Sequence, residues 1–134
     1  MSKMDRQILQ PEQWPRPRGY SNGIVASGCQ IFIAGQVGWD AQGRFNSARL
    51  AVQVRQALEN ICAVLARAQA GPEHIVRLTW YVTSRDDYMA ALPALGLHWK
   101  ALIGRNYPAM AVVIVAGLIE PGAKVEIETT AVVG

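Results

Sequence analysis

The sequence predicts an α+β protein with one mixed β-sheet and two helices on one face of that sheet. Two stretches repeat apolar residues every three or four positions, as amphipathic helices do, and shorter stretches alternate polar and apolar residues, as strands do. These stretches follow one another in the order β-β-α-β-α-β-β. A chain of 134 residues has the usual length of one domain, so residues 1–134 are expected to form a single domain.

The N-terminal part is expected to be an extended lead-in followed by a hairpin. Residues 1–19 contain three prolines and little periodicity. Residues 24–26 and 31–34 are short apolar runs, and the residues between them are typical of a hairpin turn. Gly35 follows the second run, where a glycine permits a close backbone approach. The backbone N–H groups of residues 34–36 are therefore candidates for ligand binding, with a plain turn as the alternative.

The first helix is predicted from about residue 47, and Gly71 followed by Pro72 predicts its end. Its polar side is expected to include Gln53 and Asn60. Its apolar stripe consists of Leu50, Val54, Ala57, Leu58, Ile61 and Leu65.

The second helix is predicted to begin at residues 84–87, whose sequence Ser-Arg-Asp-Asp matches a capping box. Pro93 lies inside the apolar pattern that follows. An interior proline costs about 3 kcal/mol, so we expect a kink or a break near residues 90–92, and we expect Gly104 to end the helix.

The last strands form two groups. Residues 75–83 alternate as a strand with one buried face. Residues 106–134 divide at residues 120–122, Glu-Pro-Gly, into two strand-like halves, which predicts a hairpin. In the second half Glu126 and Glu128 fall on the face opposite to the apolar residues.

Two helices cover only one face of this sheet, so the other face needs a partner. We expect Val112, Ile114, Tyr81 or neighbouring residues to present apolar area there. Because an exposed apolar patch on a water-soluble protein marks self-association, the pattern predicts a homo-oligomer.

Composition and charge argue against several functions. The chain is 51% apolar with a net charge of +3, and no basic stripe interleaves with aromatic residues, so nucleic-acid binding is not expected. No apolar run approaches the roughly 20 residues of a membrane span, and the polar N-terminus does not resemble a signal peptide. Cys29 and Cys62 are isolated, as reduced thiols are, so we expect a cytoplasmic protein.

Few residues are candidates for chemistry. The common catalytic motifs are absent, and His74 and His98 are each more typical of a structural or solvated histidine. Glu126 is a carboxylate suited to handle a proton or to orient water, and Tyr20 supplies a phenol near the lead-in. The alternative for Glu126 is a solvated or packing role on its strand.

Six stretches of the chain together resemble one known family. In order along the chain they are residues 19–21, 33–37, 56–61, 75–79, 107–109 and 125–128, with the sequences GYS, IAGQV, QALENI, IVRLT, YPA and VEIE. With this order and spacing the sequence resembles the RidA/YjgF family, also labelled endoribonuclease L-PSP. The resemblance implies a chorismate-mutase-like fold and a homotrimer whose sheets pack into a central barrel, with three ligand clefts between subunits.

The resemblance also implies a reaction. Family members with RidA activity hydrolyse reactive enamines and imines, such as 2-aminoacrylate, to a keto acid and ammonia without a metal or an organic cofactor. By position, Glu126 matches the glutamate that orients the water, Gly35 the backbone donor and Tyr20 the tyrosine that closes the cleft.

The chain departs from this family at the site for the substrate carboxylate. Met110 stands where active members carry an arginine, and a thioether cannot form the two charge-assisted hydrogen bonds of a guanidinium. Ala34 stands where a serine is common and Val112 where a cysteine is common. These differences indicate an arginine-lacking branch with a more apolar substrate-binding cleft.

Three interpretations stay open. The protein is an imine or enamine hydrolase of altered specificity, with Met110, Trp39 or Trp80 as cleft wall or Arg105 in place of the missing guanidinium. Alternatively, it is a non-catalytic trimer that binds a metabolite or a partner protein. A ribonuclease or translation inhibitor rests on the family's labels alone, and the sequence has neither a basic stripe nor a catalytic histidine pair.

Overall fold

The computed structural model describes residues 6–134 and confirms an α+β fold with a mixed sheet. The two helices are α1 (Leu50–Arg67) and α2 (Arg85–Leu102), and a short 3₁₀ turn, Pro72–His74, precedes β4. The strands are β1 (Arg6–Leu9), β2 (Gly23–Ala26), β3 (Cys29–Val37), β4 (Ile75–Val82), β5 (Ala109–Ile114) and β6 (Val125–Val133). The predicted order of elements is present, with β1 as an additional strand at its start.

Four strands form the main sheet in the order β3-β6-β4-β5. β6 pairs antiparallel with β3 and with β4, whereas β5 pairs parallel with β4. The hairpin predicted at residues 120–122 is therefore wrong, because β4 lies between the two strands that it was to join. Alternation identifies a strand and its buried face, but it carries no information about the neighbouring strand.

The N-terminal hairpin was also predicted with the wrong partner. β2 pairs antiparallel with β1, and together they form a separate two-stranded sheet. The Arg6 guanidinium donates a hydrogen bond of 2.6 Å to the carbonyl of Ile75, which attaches β1 to the start of β4. Within the expected lead-in, Arg6–Leu9 thus form a strand of a small sheet, and residues 1–5 of that expectation lie outside the described residues.

The core lies between the two helices and one face of the main sheet, as expected. The apolar stripe of α1 is buried against alternate residues of β4 and β6. Residues that are fully buried there include Leu58, Ile61, Leu65, Leu78, Val82, Val125 and Ile127.

The prediction that Gln53 lies on the polar side of α1 is wrong, because this side chain is buried. It is only 1% exposed, and its side-chain amide bonds three backbone groups. The nitrogen donates to the carbonyls of Ser47 (2.9 Å) and Gly122 (3.0 Å), and the oxygen accepts from the N–H of Lys124 (2.7 Å). A polar side chain is stable in this position because all of its donors and acceptors that face the protein are used.

The helices differ from the predictions at the end of α1 and in the interior of α2. α1 ends at Arg67, before Gly71, because Gln69 adopts the left-handed conformation that a helix end requires (φ 53°). α2 begins as predicted, since the Ser84 hydroxyl accepts from the N–H of Asp87 at 3.1 Å. A kink or a break was predicted near residues 90–92, and the break is absent: α2 is continuous through Pro93, which lies on the exposed side of the helix.

Candidate active site and aromatic cavity

A carboxylate and a backbone bulge meet on the sheet face that has no helices. Glu126 points to this face because its neighbours Val125 and Ile127 point into the core. The Glu126 side chain crosses to β3 and lies against Gly35 so closely that a Cβ at Gly35 would overlap the carboxylate. Only glycine at this position leaves room for the carboxylate beside the backbone.

Gly35 belongs to a β-bulge. The register between β3 and β6 shifts between the pairs Ile33↔Thr129 and Gln36↔Ile127, so Ala34 and Gly35 together face one residue of β6. A bulge takes backbone groups out of the regular ladder and is frequent beside active sites. Ala34 and Gly35 are both exposed. The carboxylate and these backbone groups together form a site able to orient a small polar molecule such as water.

A second carboxylate on this face is engaged with a phenol. Tyr81 donates a 2.5 Å hydrogen bond to the Glu128 carboxylate. This bond is the largest cause of a raised pKa for Tyr81, to which the charges of Glu128 and Glu126 also contribute. Tyr81 is therefore held in its protonated, donating form. Glu128 already has a hydrogen-bond partner, whereas the Glu126 side chain forms no hydrogen bond or ion pair within residues 6–134.

Tyr20 and Met110 lie together on the other face of the sheet. Met110 is opposite Leu78 in the parallel β4–β5 register, so its side chain is on the helix face, where Val112 is opposite Trp80. A cavity of about 790 Å³ opens there between α2, the β4–β5 edge of the sheet and the segment before β2. We call it the aromatic cavity. It is lined by Arg18, Gly19, Tyr20, Trp80, Tyr88, Leu92, Leu95, Gly96, Trp99, Lys100, Gly104, Arg105, Tyr107, Met110 and Val112.

A single protomer thus brings the predicted site residues together in two groups. Ala34, Gly35 and Glu126 meet at the bulge, and Tyr20 and Met110 meet in the aromatic cavity. The two groups do not meet, because β4 separates β5 from β6 and the side chains point to opposite faces.

Other sequence expectations for this region have mixed outcomes. Trp80 lines the aromatic cavity and is also buried in the core, whereas Trp39 packs against Phe45 at 5.7 Å and does not line this cavity. Arg105 is exposed at the cavity wall. His74 accepts a 3.0 Å hydrogen bond from the N–H of Gly71, which is a structural role.

The expectation for the helix-free face is partly wrong. Tyr81 lies on this face, but Val112 and Ile114 pair with Trp80 and Val82 and so belong to the helix face. Phe32, which is 73% exposed, supplies apolar area on the helix-free face instead. A shift of one residue in the alternation moves every side chain to the other face. β5 is short and apolar throughout, so its sequence does not show which of its residues face the helices.

Sequence reasoning missed most of the aromatic cavity. Tyr88, Trp99, Lys100 and Arg18 line the cavity but were not among the predicted site residues. The available signal was the combination of bulky aromatic residues with Gly96 on one helix, which leaves space beside the rings that a larger residue would fill.

The described residues lack two features that other functions would need. Residues 6–134 contain no cluster of three or more His, Cys, Asp or Glu side chains arranged to hold a metal ion. Within the same residues no helix has both the length and the apolar character needed to cross a membrane.

Comparison with known proteins agrees with the resemblance drawn from the sequence. Residues 13–133 match the family described as Endoribonuclease L-PSP. A RutC family protein of Synechocystis is 32% identical over 131 residues, covering 96% of this chain and 98% of its own. The human 2-iminobutanoate/2-iminopropanoate deaminase is 28% identical over 135 residues, covering 100% of this chain and 95% of its own. The crystal structure of YyfB of Yersinia pestis, a protein of unknown function of the conserved Rid protein family, has a TM-score of 0.81 and 36% identity to this chain, with 97% of this chain and 100% of YyfB covered.

Proposed function

Because this chain belongs to the Endoribonuclease L-PSP family, we propose that it is a hydrolase of reactive imines or enamines that releases ammonia and a carbonyl product. The observation that carries the proposal is the Glu126 carboxylate lying against the Gly35 bulge. The name of the human relative, an iminobutanoate and iminopropanoate deaminase, supports the reaction class.

The proposed reaction needs only water and a group that moves protons. Water adds to the carbon of the C=N bond, and Glu126 accepts a proton from that water and returns it to the nitrogen. In the resulting carbinolamine, Glu126 moves the hydroxyl proton to the nitrogen, the C–N bond breaks, and ammonia leaves as the carbonyl forms. Backbone donors of residues 34–36 would hold the substrate, and an enamine would first shift to the imine. The residues carry all of these steps without a metal or an organic cofactor.

Substrate choice is the proposed difference from relatives that carry an arginine. Met110 faces the aromatic cavity with an apolar side chain. A guanidinium in its place would offer two charge-assisted hydrogen bonds to a carboxylate, together worth roughly 3–6 kcal/mol. We therefore propose substrates other than simple amino-acid imines, with Tyr20 at the wall of the cleft.

The proposed working form is a cytoplasmic homotrimer. Glu126 and Met110 lie on opposite faces within one protomer, so a cleft that uses both must form between subunits. The exposed Phe32 on the helix-free face supports burial of this face against other copies of the chain.

Replacement of Glu126 tests the reaction directly. Glu126→Gln keeps the shape of the side chain but cannot accept a proton, so ammonia release from freshly generated imines should fall by about 10²- to 10⁴-fold. Glu128→Gln is the matched control two residues along the same face, and it should retain most of the activity. An unchanged rate in Glu126→Gln would contradict the mechanism.

Replacement of Met110 tests the specificity. Met110→Arg restores a guanidinium, so hydrolysis of an imine that carries a carboxylate should rise by roughly two to four orders of magnitude in kcat/KM. Hydrolysis of an uncharged aromatic imine should not rise. Met110→Leu is the control for loss of the thioether alone, and a rise with leucine as well would contradict this assignment.

A non-catalytic binding protein is the second candidate, and the loss of the family arginine at Met110 favours it. This alternative predicts no ammonia release by wild type or by Met110→Arg with any imine. Thermal-shift measurements with amines, keto acids and aromatic acids would then separate a binding protein from an inert scaffold.

A further inference from the structure

The solvent side of α2 is apolar, although α2 already packs a first apolar side against the core. Residues 88–99 contain no Asp, Glu, Lys or Arg, whereas α1 carries Arg55 and Glu59 outside the core. Met89 and Leu97 are exposed large apolar side chains of α2. An exposed apolar surface on a folded domain marks a place that another molecule covers.

The exposed residues of α2 form one stripe, because they recur every three or four positions and so share a helix face. We call this set the outer stripe. It consists of Asp86, Met89, Ala90, Pro93, Gly96, Leu97 and Lys100. At about 1.5 Å per residue, the outer stripe is roughly 21 Å long from end to end.

The outer stripe is symmetrical about Pro93. Asp86 and Lys100 each lie seven positions from Pro93, and Met89 and Leu97 each lie four positions from it. Two α2 helices that pack antiparallel with their Pro93 residues opposite each other therefore match along the whole stripe. Asp86 then meets Lys100 of the second copy, and Met89 meets Leu97 of the second copy. Each contact occurs twice, as an interface with two-fold symmetry requires.

The charges at the two ends of the outer stripe favour this antiparallel arrangement. Asp86 and Lys100 form no ion pair with any other described residue of their own chain. Antiparallel packing gives each of them an opposite charge on the second copy, whereas parallel packing would bring each against a like charge.

Small residues near the middle of the outer stripe permit two helices to approach closely. Ala90 and Gly96 each lie three positions from Pro93, so they face each other across the same antiparallel pair. An added Cβ at Gly96 meets no atom of its own chain within 4 Å, so the space above this glycine is open. The distance between packed helices depends on the side chains at their contact, and small ones shorten it.

We propose that two copies of this chain associate through the outer stripes of their α2 helices, packed antiparallel about a two-fold axis at Pro93. The trimer proposed above buries the helix-free face, so α2 stays accessible in it and joins one trimer to another. One helix face of roughly 21 Å buries less than the roughly 800 Å² per partner of a standard interface. The association is therefore weak, absent at micromolar concentration and present towards millimolar concentration. It goes beyond imine hydrolysis and does not require turnover at Glu126.

The dependence of mass on protein concentration provides the first test. By sedimentation equilibrium, the mass of wild type should rise between micromolar and millimolar concentration. Leu97→Glu, which places a carboxylate within the apolar part of both stripes, should keep its micromolar mass throughout. Val64→Glu is the matched control, because it introduces the same charge at an exposed position of α1, and it should associate like wild type.

A variant of the helix-free face separates this association from the proposed trimer. Phe32→Glu places a carboxylate on that face and is expected to dissociate the trimer. Because the outer stripe is on α2, Phe32→Glu should still associate towards millimolar concentration, with a limiting mass of two protomers. Failure of Phe32→Glu to associate, at concentrations where wild type does, would overturn pairing through α2.

Charge reversal tests the antiparallel register. Asp86→Lys and Lys100→Glu each leave like charges facing each other at both ends, so each variant alone should associate at least about 5-fold more weakly than wild type. An equimolar mixture of the two variants should recover the association. In a mixed pair the introduced lysine faces the introduced glutamate, and the native Lys100 faces the native Asp86. A merely structural effect of either change would not be reversed by mixing.

Cysteine crosslinking locates the two-fold axis. In a Cys29→Ser background, Pro93→Cys should form a disulfide-linked dimer under mild oxidation, because position 93 meets its own copy. Ala101→Cys is also exposed on α2, but in the proposed pair it lies roughly 24 Å from its copy, too far for a disulfide, and it should remain largely uncrosslinked.

Four further results would overturn the proposal. They are a constant mass of wild type up to millimolar concentration, association of Leu97→Glu like that of wild type, a mixture of the charge variants that associates no better than its components, and equal crosslinking of Pro93→Cys and Ala101→Cys. A rise in mass that is lost in Leu97→Glu and recovered in the mixed charge variants would support it.

Discussion

At the scale of single residues, the helix-free face is organised by two glutamates in different environments. Glu128 accepts the hydrogen bond of Tyr81, whereas Glu126 turns towards Gly35 on the neighbouring strand. The sequence predicts that both carboxylates share one face, because alternation fixes their side of β6. It does not predict which of them meets the bulge, because the bulge arises from the pairing of β3 with β6.

The pKa of Tyr81 distinguishes the effects of the Glu126 and Glu128 carboxylates. Its raised pKa is caused first by the hydrogen bond to Glu128, so Glu128→Gln should bring the pKa of Tyr81 down towards the ordinary value near 10. Glu126→Gln should lower it less, because Glu126 contributes only its charge. Tyr88, whose pKa is raised by burial, should not respond to either change. The ¹³Cζ shifts of the tyrosines, followed against pH, measure all of these values.

The sign of the accompanying effect on stability follows from the raised pKa. Folding favours the protonated phenol, so this contribution to stability is present below the unfolded pKa of about 10 and is lost as the pH rises through the folded pKa. Equal responses of Tyr81 to the two glutamine variants would show that the hydrogen bond to Glu128 is not the main cause.

At the scale of elements, side-chain amides on α1 hold the two strands that carry the bulge and the carboxylate. Asn60 donates to the carbonyls of Val37 (3.2 Å) and Trp39 (2.9 Å) at the end of β3. Gln53 bonds Gly122 and Lys124 just before β6 begins. Helical periodicity identified α1 and its stripe, but it placed both amides on the polar side, because their partners are loop groups that come from far along the chain.

Removal of the Gln53 amide should therefore weaken the fold. Gln53→Leu fills the space but leaves the N–H of Lys124 and two carbonyls without partners, and we expect a loss of about 2–4 kcal/mol in the free energy of unfolding. Gln56→Leu is the control, since Gln56 bonds only the side chain of Asn60 and should cost under about 1 kcal/mol. Urea unfolding followed by circular dichroism measures both, and equal losses would contradict the anchoring role of Gln53.

At the scale of the whole molecule, the sequence predicted the fold class and the elements but not how they join. Amphipathic periods and the family resemblance were sufficient for the helices, the strands and the mixed sheet. The predicted partners of β2 and β5 were wrong, because strand pairing depends on contacts between residues distant in sequence. The family resemblance placed Met110 and Glu126 in one cleft between subunits, and one protomer holds them on opposite faces of its sheet.

Formation of the proposed trimer would bring Met110 and Glu126 of different subunits together. A substitution of Phe32 tests whether the helix-free face forms the subunit interface. Phe32 is 73% exposed on the helix-free face, so Phe32→Glu would place a carboxylate in the proposed subunit interface, on the same face as Glu126 and Glu128. By light scattering at micromolar concentration, wild type should have the mass of three 14.6 kDa protomers and Phe32→Glu that of one. Leu97→Glu, which introduces the same charge at a 69% exposed position of α2, should remain trimeric.

The activities of the same two variants connect assembly to function. Imine hydrolysis should be lost in Phe32→Glu, because the cleft that joins Met110 and Glu126 would form only between subunits. A monomeric wild type would refute the trimer, and a trimeric Phe32→Glu would show that the helix-free face is not the interface. Full activity in a dissociated Phe32→Glu would show that Glu126 works without Met110 of another subunit.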